Sequence, residues 1–322
     1  MTKKHPPYIG RATGFAVLTA VSLLFWWRPL ANTLGLALTN EAYTHILLIL
    51  PLSAALIYLD SKDQHSKNLN SKALPIDPPP SLRIGAALLA LALLMGGYAR
   101  WGSGAASGDV RLSLAMFTLV TWWIASVVFC YGLRAFRSLL LPLCFLFLLV
   151  PVPGVVLNVI VGWLQHGSAW TAALLFRAVG EPVQRDGIFL SLTGLDIEVA
   201  KECSSIRSSI LLVIATIVLA HLFLRSWWRN LVLVVIAIPL SIAKNGLRIF
   251  VIAELGTHVD PGFLDGRLHH HGGIVFLVIA LGAIVVLLGI LHRGESRLQL
   301  LNASTGPGEL PITQSASFKH RT

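Results

Sequence analysis

Charge is what this chain has least of. Only 12% of its 322 residues are Asp, Glu, Lys or Arg, about half of the roughly 25% found in a soluble domain. A water-facing globular surface cannot be built from so few charges, which argues against a soluble enzyme. Acidic residues are scarcest, 15 against 25 Lys plus Arg, for a formal charge of +10. That excess would suit a nucleic-acid binder if it were gathered on a polar domain. It is instead spread over short segments between apolar runs, the pattern of membrane-topology signals and attraction to anionic lipid, so no nucleic-acid partner is expected. Three cysteines are an odd number, which excludes a disulfide framework as the organising principle and leaves at least one thiol free. The 27 Gly and 16 Pro are too few and too scattered for a fibrous or low-complexity chain.

Apolar residues fill the space that charge leaves: 55% of the chain is hydrophobic, with a mean hydropathy of +0.73. Runs near or above ~18 apolar residues recur along most of the length and place the chain in a bilayer. Eight are read as spans, at about 12–30, 43–59, 84–98, 112–131, 138–152, 206–224, 231–253 and 272–292. The first follows Lys3, Lys4 and Arg11 like the front of a signal peptide, but Trp26, Trp27 and Arg28 are poor cleavage flanks, so it is read as a retained helix. The fifth is stopped by Pro151 and Pro153.

Segment 155–179 is apolar but interrupted by Asn158, Gln165, His166 and Arg177, and is read as interfacial or re-entrant. Residues 187–200 alternate apolar and polar around Thr193-Gly194, which predicts a small hairpin outside the bilayer. The stretch after Arg293, rich in Ser, Thr, Gly and Pro, reads as a disordered cytoplasmic tail at 296–322 behind a membrane domain at 1–295. The expected fold is all-α, a polytopic membrane bundle of about eight transmembrane helices with a small extracytoplasmic hairpin or interfacial segment. Eight spans put both termini on one side. With that side cytoplasmic, 15 of the 25 basic residues fall inside, Arg83, Arg134, Arg137, Arg225, Arg229 and Arg293 among them, in keeping with the positive-inside rule.

Three residues do not belong in a passive anchor. At ~1.5 Å per helical residue, Cys203 lies ~32 Å above Leu224, Arg248 ~26 Å above Leu231 and His269 ~35 Å above His292. The hydrocarbon core is about 30 Å thick, so a thiol, a guanidinium and an imidazole reach the outer boundary together on three consecutive spans. Cys203 precedes a helix, whose positive end favours a thiolate, as do Arg207 and Arg248, while Glu202 opposes it. His269 can take the thiol proton and return it to a leaving amine. Arg248 can hold either a developing oxyanion or a substrate carboxylate. Lys244, Asn245 and Arg248 share a helix face, and Asn245 can orient either partner. Plainer readings exist for each: an arginine near a helix end snorkels without function, and Cys130 and Cys144 read as packing residues. Three adjacent histidines, His269, His270 and His271, cannot all face one ion from a helix, so neither a metal nor a cofactor is expected.

These residues resemble the exosortase/archaeosortase family of integral-membrane cysteine transpeptidases. The family's C-S-G-[IL]-R run is similar to Cys203-Ser204-Ser205-Ile206-Arg207, with Ser205 where the family usually has Gly. Its N-x-x-R block, on an apolar helix containing Pro, is matched by Pro239 and Asn245-Gly246-Leu247-Arg248-Ile249. Its third block fits His269, Gly273 and Phe276, with His270 as runner-up if the spacing slips by one. Tyr43-Thr44-His45 before Pro51 and Leu149-Val150-Pro151-Val152-Pro153 are softer similarities.

The resemblance covers about 43–292. It implies a thiol protease or transpeptidase in the inner membrane of Gram-negative organisms, with its site facing the periplasm, often alongside exopolysaccharide production. Its substrates would be secreted proteins with a C-terminal Pro-Glu-Pro-type (PEP-CTERM) sorting signal, cleaved through a thioester on Cys203. Arg248 and His269 would complete the catalytic set, supported by Asn245, Arg207, Lys244 and His270. The competing reading is a non-catalytic transporter or polysaccharide-export component that uses Lys244, Arg248 and His269 as a polar pathway. The oligomeric state, the acceptor and the recognition motif are not legible in the sequence.

Overall fold

A computed structural model of the chain describes residues 7–70, 81–101, 107–199, 206–260, 262 and 273–304. In chain order it contains α1 (Pro7–Phe25), α2 (Trp27–Thr39), a 3-10 turn (Glu41–Tyr43), α3 (Ile46–Asn70), α4 (Leu82–Trp101) and α5 (Gly108–Ser138). Next come α6 (Leu140–Phe145) with its 3-10 continuation (Leu146–Leu149), α7 (Gly154–Val179), and the strands β1 (Gln184–Asp186), β2 (Phe189–Leu192) and β3 (Leu195–Glu198). The series closes with α8 (Ile206–Phe223), α9 (Trp227–His258) and α10 (Gly273–Ser304). Seven helices are long and apolar enough to cross a membrane, or eight if the bent pair α1–α2 is one span. The protein is a multi-pass membrane helix bundle.

The first expected span is broken. Its two helical pieces meet at Trp26 with a bend of 72°, because that side chain turns into the bundle. Trp26 is buried, donates its Nε1–H to Thr118 Oγ1 at 3.0 Å, and lies over Gly96, where a Cβ would come within 2.8 Å of the indole. Pro29, in the first turn of α2, has no N–H to lose there. Two more indoles pin α1 to α5: Trp122 donates to Leu18 O at 3.0 Å and Trp123 to Ser22 Oγ at 2.9 Å. A tryptophan combines a large apolar area with a single donor, so one partner suffices to bury it in a bilayer.

The segment expected as the fifth span, 138–152, is not one regular helix. It is a short α-helix, a 3-10 turn and an extended stretch that runs back along α5 to its start. There Ser113 Oγ donates to Pro151 O at 2.6 Å and the Gly154 N–H donates to Asp109 Oδ2 at 3.2 Å. A 3-10 turn rises about 2.0 Å per residue and extended chain about 3.3 Å, so irregular backbone covers distance that ten α-helical residues could not. Such backbone survives at membrane depth only inside protein, and Leu143, Phe145, Leu146 and Leu149 are indeed buried.

Segment 155–179, expected to be interrupted, is instead a continuous helix of 26 residues, long and apolar enough to span. Its polar residues do not break it because they find partners. Gln165 Nε2 donates to Val199 O at 2.6 Å, and His166 Nδ1 lies 2.8 Å from Gly162 O.

The expected hairpin forms and gains a strand. β1, β2 and β3 pair antiparallel in that order, and the Leu192↔Leu195 register leaves Thr193-Gly194 as the two-residue turn, with Gly194 at φ +86°. Leu190 and Val199 are buried against Ala169, Ala172, Ala173 and Phe176 of α7 and Ile249 and Ala253 of α9.

A separate apolar core joins α8, α9 and α10 through Leu212, Leu224, Leu233, Ala237, Ala280 and Ile284. At one end of this core His221 Nε2 sits 3.0 Å from Asp60 of α3, and Arg229 donates to Leu291 O at 3.0 Å. The helix α10 continues past Arg293 to Ser304, further than expected from the sequence; residues 305–322 lie outside the described residues. Cys130 and Cys144 are both free thiols, the first buried and the second exposed.

Candidate active site

Helix α9 carries the polar face. Lys244, Asn245 and Arg248 are all buried, with 5%, 1% and 8% of their surfaces exposed, in a helix otherwise rich in Val, Ile and Leu. Each cation costs free energy at that depth unless a partner or a function retains it. Lys244 Nζ donates to Ser208 Oγ of α8. Asn245 Nδ2 donates to Ser168 Oγ of α7 at 2.9 Å, and Ser168 is itself fully buried. Two neighbouring residues of one helix are thereby tied to two different helices, so α9 is fixed in rotation as well as in position.

Gly246 makes the second of these contacts possible. A Cβ there would meet Thr171 Cβ at 2.5 Å and Ser168 O at 3.0 Å. Further along the same interface Gly167 passes Ile242, and Phe176 meets Phe250 edge-on at 5.0 Å. Helix packing in lipid relies on such small-residue contacts, since burial against lipid tails supplies no hydrophobic gain.

Asn245 Oδ1, Ser241 Oγ and Ser209 Oγ are buried and make no hydrogen bond within the described residues. A buried acceptor without a partner costs about 1–3 kcal/mol, and these three lie close together on α8 and α9, whereas Thr33 Oγ1, Ser53 Oγ and Asn230 Oδ1 are scattered over the bundle. Ser209 and Ser241 line an apolar cavity of about 250 Å³ between α7, α8 and α9, together with Trp163, Leu164, Ile206 and Ile210. The cavity reaches from the start of α8 to one turn before Lys244.

Of the residues singled out in the sequence, Arg248, Asn245 and Lys244 lie together on α9, and Arg207 stands exposed in the first turn of α8 next to Ser208. Cys203, His269 and His270 lie outside the described residues. Their neighbours in the chain are described. Val199, four residues before Cys203, is held to α7 by Gln165 and to Ile188 O through its N–H at 3.1 Å. Ser208, five residues after it, is held by Lys244. Gly273 opens α10 and Phe276 is buried.

The two softer blocks also meet: Tyr43 Oη donates to Val152 O at 2.8 Å, while His45 is buried with Nδ1 3.2 Å from Ala42 O. No group of three or more His, Cys, Asp or Glu able to hold a metal ion occurs among the described residues.

Sequence reasoning missed Gln165, Ser168 and Ser208. The first was noticed only as an interruption of an apolar run. Its spacing of three from Ser168 puts both on one face of α7, a signal that could have marked the face as inward.

A family model described as Transmembrane exosortase (Exosortase_EpsH) matches residues 26–286. No curated protein and no solved structure matches the chain. The matched span takes in every element from α2 to the first half of α10, with the α9 polar face and both flanks of Cys203 inside it. The chain therefore belongs to the transmembrane exosortase family, whose role is a membrane-embedded one in protein sorting.

Proposed function

We propose that the protein is a cysteine transpeptidase of the inner membrane that cleaves C-terminal sorting signals of secreted proteins at the periplasmic face. The observation that carries this reading is the buried Lys244–Asn245–Arg248 face, built against α7 and α8 where the chain on both sides of Cys203 is pinned. In this reading the Cys203 thiol gives its proton to His269, and the thiolate attacks the scissile carbonyl carbon. Arg248 stabilises the oxyanion. As the C–N bond breaks, the imidazolium returns the proton to the departing amine and leaves a thioester on Cys203. An acceptor nucleophile, deprotonated by the same imidazole, then displaces the thiol and regenerates it. His270 takes the acid–base role if the register differs by one.

The supporting residues divide the remaining work. Arg207, at the positive end of α8, favours the thiolate. Lys244 holds the start of α8 through Ser208. The Oδ1 of Asn245, which has no hydrogen bond among the described residues, is an acceptor held in place for an imidazole N–H or a substrate amide. The cavity between α7, α8 and α9 is apolar enough to receive part of the membrane-embedded segment of the substrate, a secreted protein with a PEP-CTERM-type tail.

The test is processing of a co-expressed reporter that carries such a tail. Cys203→Ala should abolish cleavage while membrane insertion stays intact, and a thioester-linked fragment should be trapped on the wild-type cysteine. A Cys203→Ala protein that still releases the tail overturns the reading, and a polar pathway for transport through Lys244 and Arg248 would release no tail even with Cys203 intact.

A further inference from the structure

The cavity between α7, α8 and α9 has the size of a side chain. It holds about 250 Å³, and an apolar cavity of about 150 Å³ is enough to take in a benzene ring. One large side chain or two small ones fit, whereas a helix is far too big. The α8 wall is a single helical face, with Ile206, Ser209, Val213 and Ile217 at spacings of three and four. Opposite it, α7 and α9 touch at Gly167, where a Cβ would come within 2.9 Å of Ile242. The cavity begins one turn before that contact on both helices, at Trp163 and Ile238, so their meeting closes it at one end.

Its mouth lies on the lipid side, since Ile160, Trp163 and Ile238 line it and stand exposed on spanning helices. What enters therefore comes from the hydrocarbon and is apolar. Two serines set how much room there is. Ser209 and Ser241 are 6% and 3% exposed. Neither makes the bond to its own helix that Thr216 makes to Leu212 O at 2.7 Å and Thr171 to Gly167 O at 2.9 Å. What they bring to the interface is small size, and a leucine at either position would fill the space. Both adjoin the candidate site: Ser209 follows Ser208, the partner of Lys244, and Ser241 lies one turn before Lys244 and Asn245. A cavity for a lipid tail gains nothing from that adjacency. A cavity for the substrate does, because a side chain docked there fixes the register of the membrane segment against the polar face of α9.

We infer that this cavity is a side-chain subsite: it takes one large apolar residue from the membrane segment of the sorting signal, and Ser209 and Ser241 set the size it accepts. The inference rests on the cleavage reading above and adds to it what the protein measures in the membrane part of its substrate. Lipid tails are as apolar as the cavity wall, so transfer from one to the other supplies no hydrophobic gain. Selectivity comes from fit: contacts made by a residue that fills the space, and overpacking forced by one that does not.

The experiment measures kcat/KM of the full-length protein in phospholipid nanodiscs. The reporters carry a PEP-CTERM-type tail whose membrane segment is built of alanine and leucine, with one alanine at a time changed to phenylalanine. The wild type should favour phenylalanine over alanine at one position by at least about threefold. In Ser241→Leu and in Ser209→Leu that preference should invert, the phenylalanine reporter losing at least about fivefold relative to the alanine one. Ile210→Ala, which enlarges the cavity, should extend the preference to tryptophan and keeps the test open if the leucine variants do not fold. Gly289→Leu, on an open face of α10, should keep the wild-type pattern. No positional preference in the wild type, or an equal loss on both reporters in Ser241→Leu, overturns the subsite; equal loss with release of a co-purified phospholipid assigns the cavity to a lipid tail. Cleavage that survives Cys203→Ala overturns the cleavage reading instead, whatever the size preference. If no reporter is cleaved, docking is still tested by a disulfide between Ser241→Cys, in a chain otherwise free of cysteine, and a cysteine placed along the segment. Its absence at every position overturns the subsite.

Discussion

Around α5 the helices are fixed by tryptophan, and around α9 they are fixed by buried amide, hydroxyl and ammonium groups. Trp26, Trp122 and Trp123 each bring a large apolar surface and spend their one donor on Thr118, Leu18 O or Ser22. Each of these tryptophans satisfies its single donor, an arrangement that serves stability. The α7–α8–α9 interface instead buries Lys244 and Arg248 within one turn of each other and leaves Asn245 Oδ1, Ser209 Oγ and Ser241 Oγ without hydrogen bonds in the described residues. An interface selected only to hold helices together would be as stable or more so with apolar residues of similar volume. The contrast fits the role proposed for α9, in which stability is given up for chemistry.

The sharpest way to break that contrast is to remove charge from the α9 face. Arg248→Ala should lower processing of a sorting-signal reporter by about 10²–10³-fold, the range seen when one transition-state donor is lost, while thermal stability in detergent changes little. If stability collapses and residual activity per folded molecule stays normal, Arg248 is a structural residue and the contrast fails. Next in size is Gly246→Val, which drives a branched side chain into Thr171 and Ser168 O. Overpacking of this kind costs about 1–3 kcal/mol, and thermal unfolding should show it. Gly14→Val in α1 is the control, since a Cβ at Gly14 meets only the Cys130 sulfur at 3.7 Å.

The two regions differ in how much of them is legible in the chain's residues. Long apolar runs locate most of the membrane helices, because a hydrocarbon core of about 30 Å imposes a length on them, but 155–179 takes the place expected for 138–152. The Thr193-Gly194 hairpin was legible because its turn needs a positive φ that Gly supplies. What was not legible depends on contacts between distant elements. Trp26 breaks the first helix because Thr118 and Gly96 receive it 92 and 70 residues away, and no local pattern announces that. Segment 155–179 looked interrupted because Gln165 and His166 are polar; Val199 O and Gly162 O, which satisfy them, cannot be read from their neighbourhood. At the candidate site the grouping of Lys244, Asn245 and Arg248 was a matter of helical spacing and could be anticipated. Their partners Ser208 and Ser168, on two other helices, could not.

On the α5 side, Trp26→Phe keeps most of the apolar surface and removes the donor to Thr118. The expected cost is about 1 kcal/mol, seen as a lowered unfolding temperature, with processing of the reporter unchanged. A loss of processing beyond what the lost stability explains would mean that the tryptophan half also takes part in the chemistry, and the division between the two halves would have to be redrawn.

The finest test addresses the bond between Asn245 and Ser168. Asn245→Ala and Ser168→Ala each remove one side of a 2.9 Å hydrogen bond, and the double variant closes the cycle. In a membrane interior the coupling energy of such a pair averages about 0.6 kcal/mol, because the unfolded helices also find partners in the bilayer. A coupling of that size, measured on stability, assigns the Asn245 Nδ2 group to helix packing. The activity cycle should differ. Ser168→Ala leaves Asn245 Oδ1 in place and should cost little processing, whereas Asn245→Ala also removes that acceptor and should cost more than the shared bond accounts for. If both variants lower processing equally, and only in proportion to stability, the amide has no role beyond joining α7 to α9. The polar face would then shrink to its two cations.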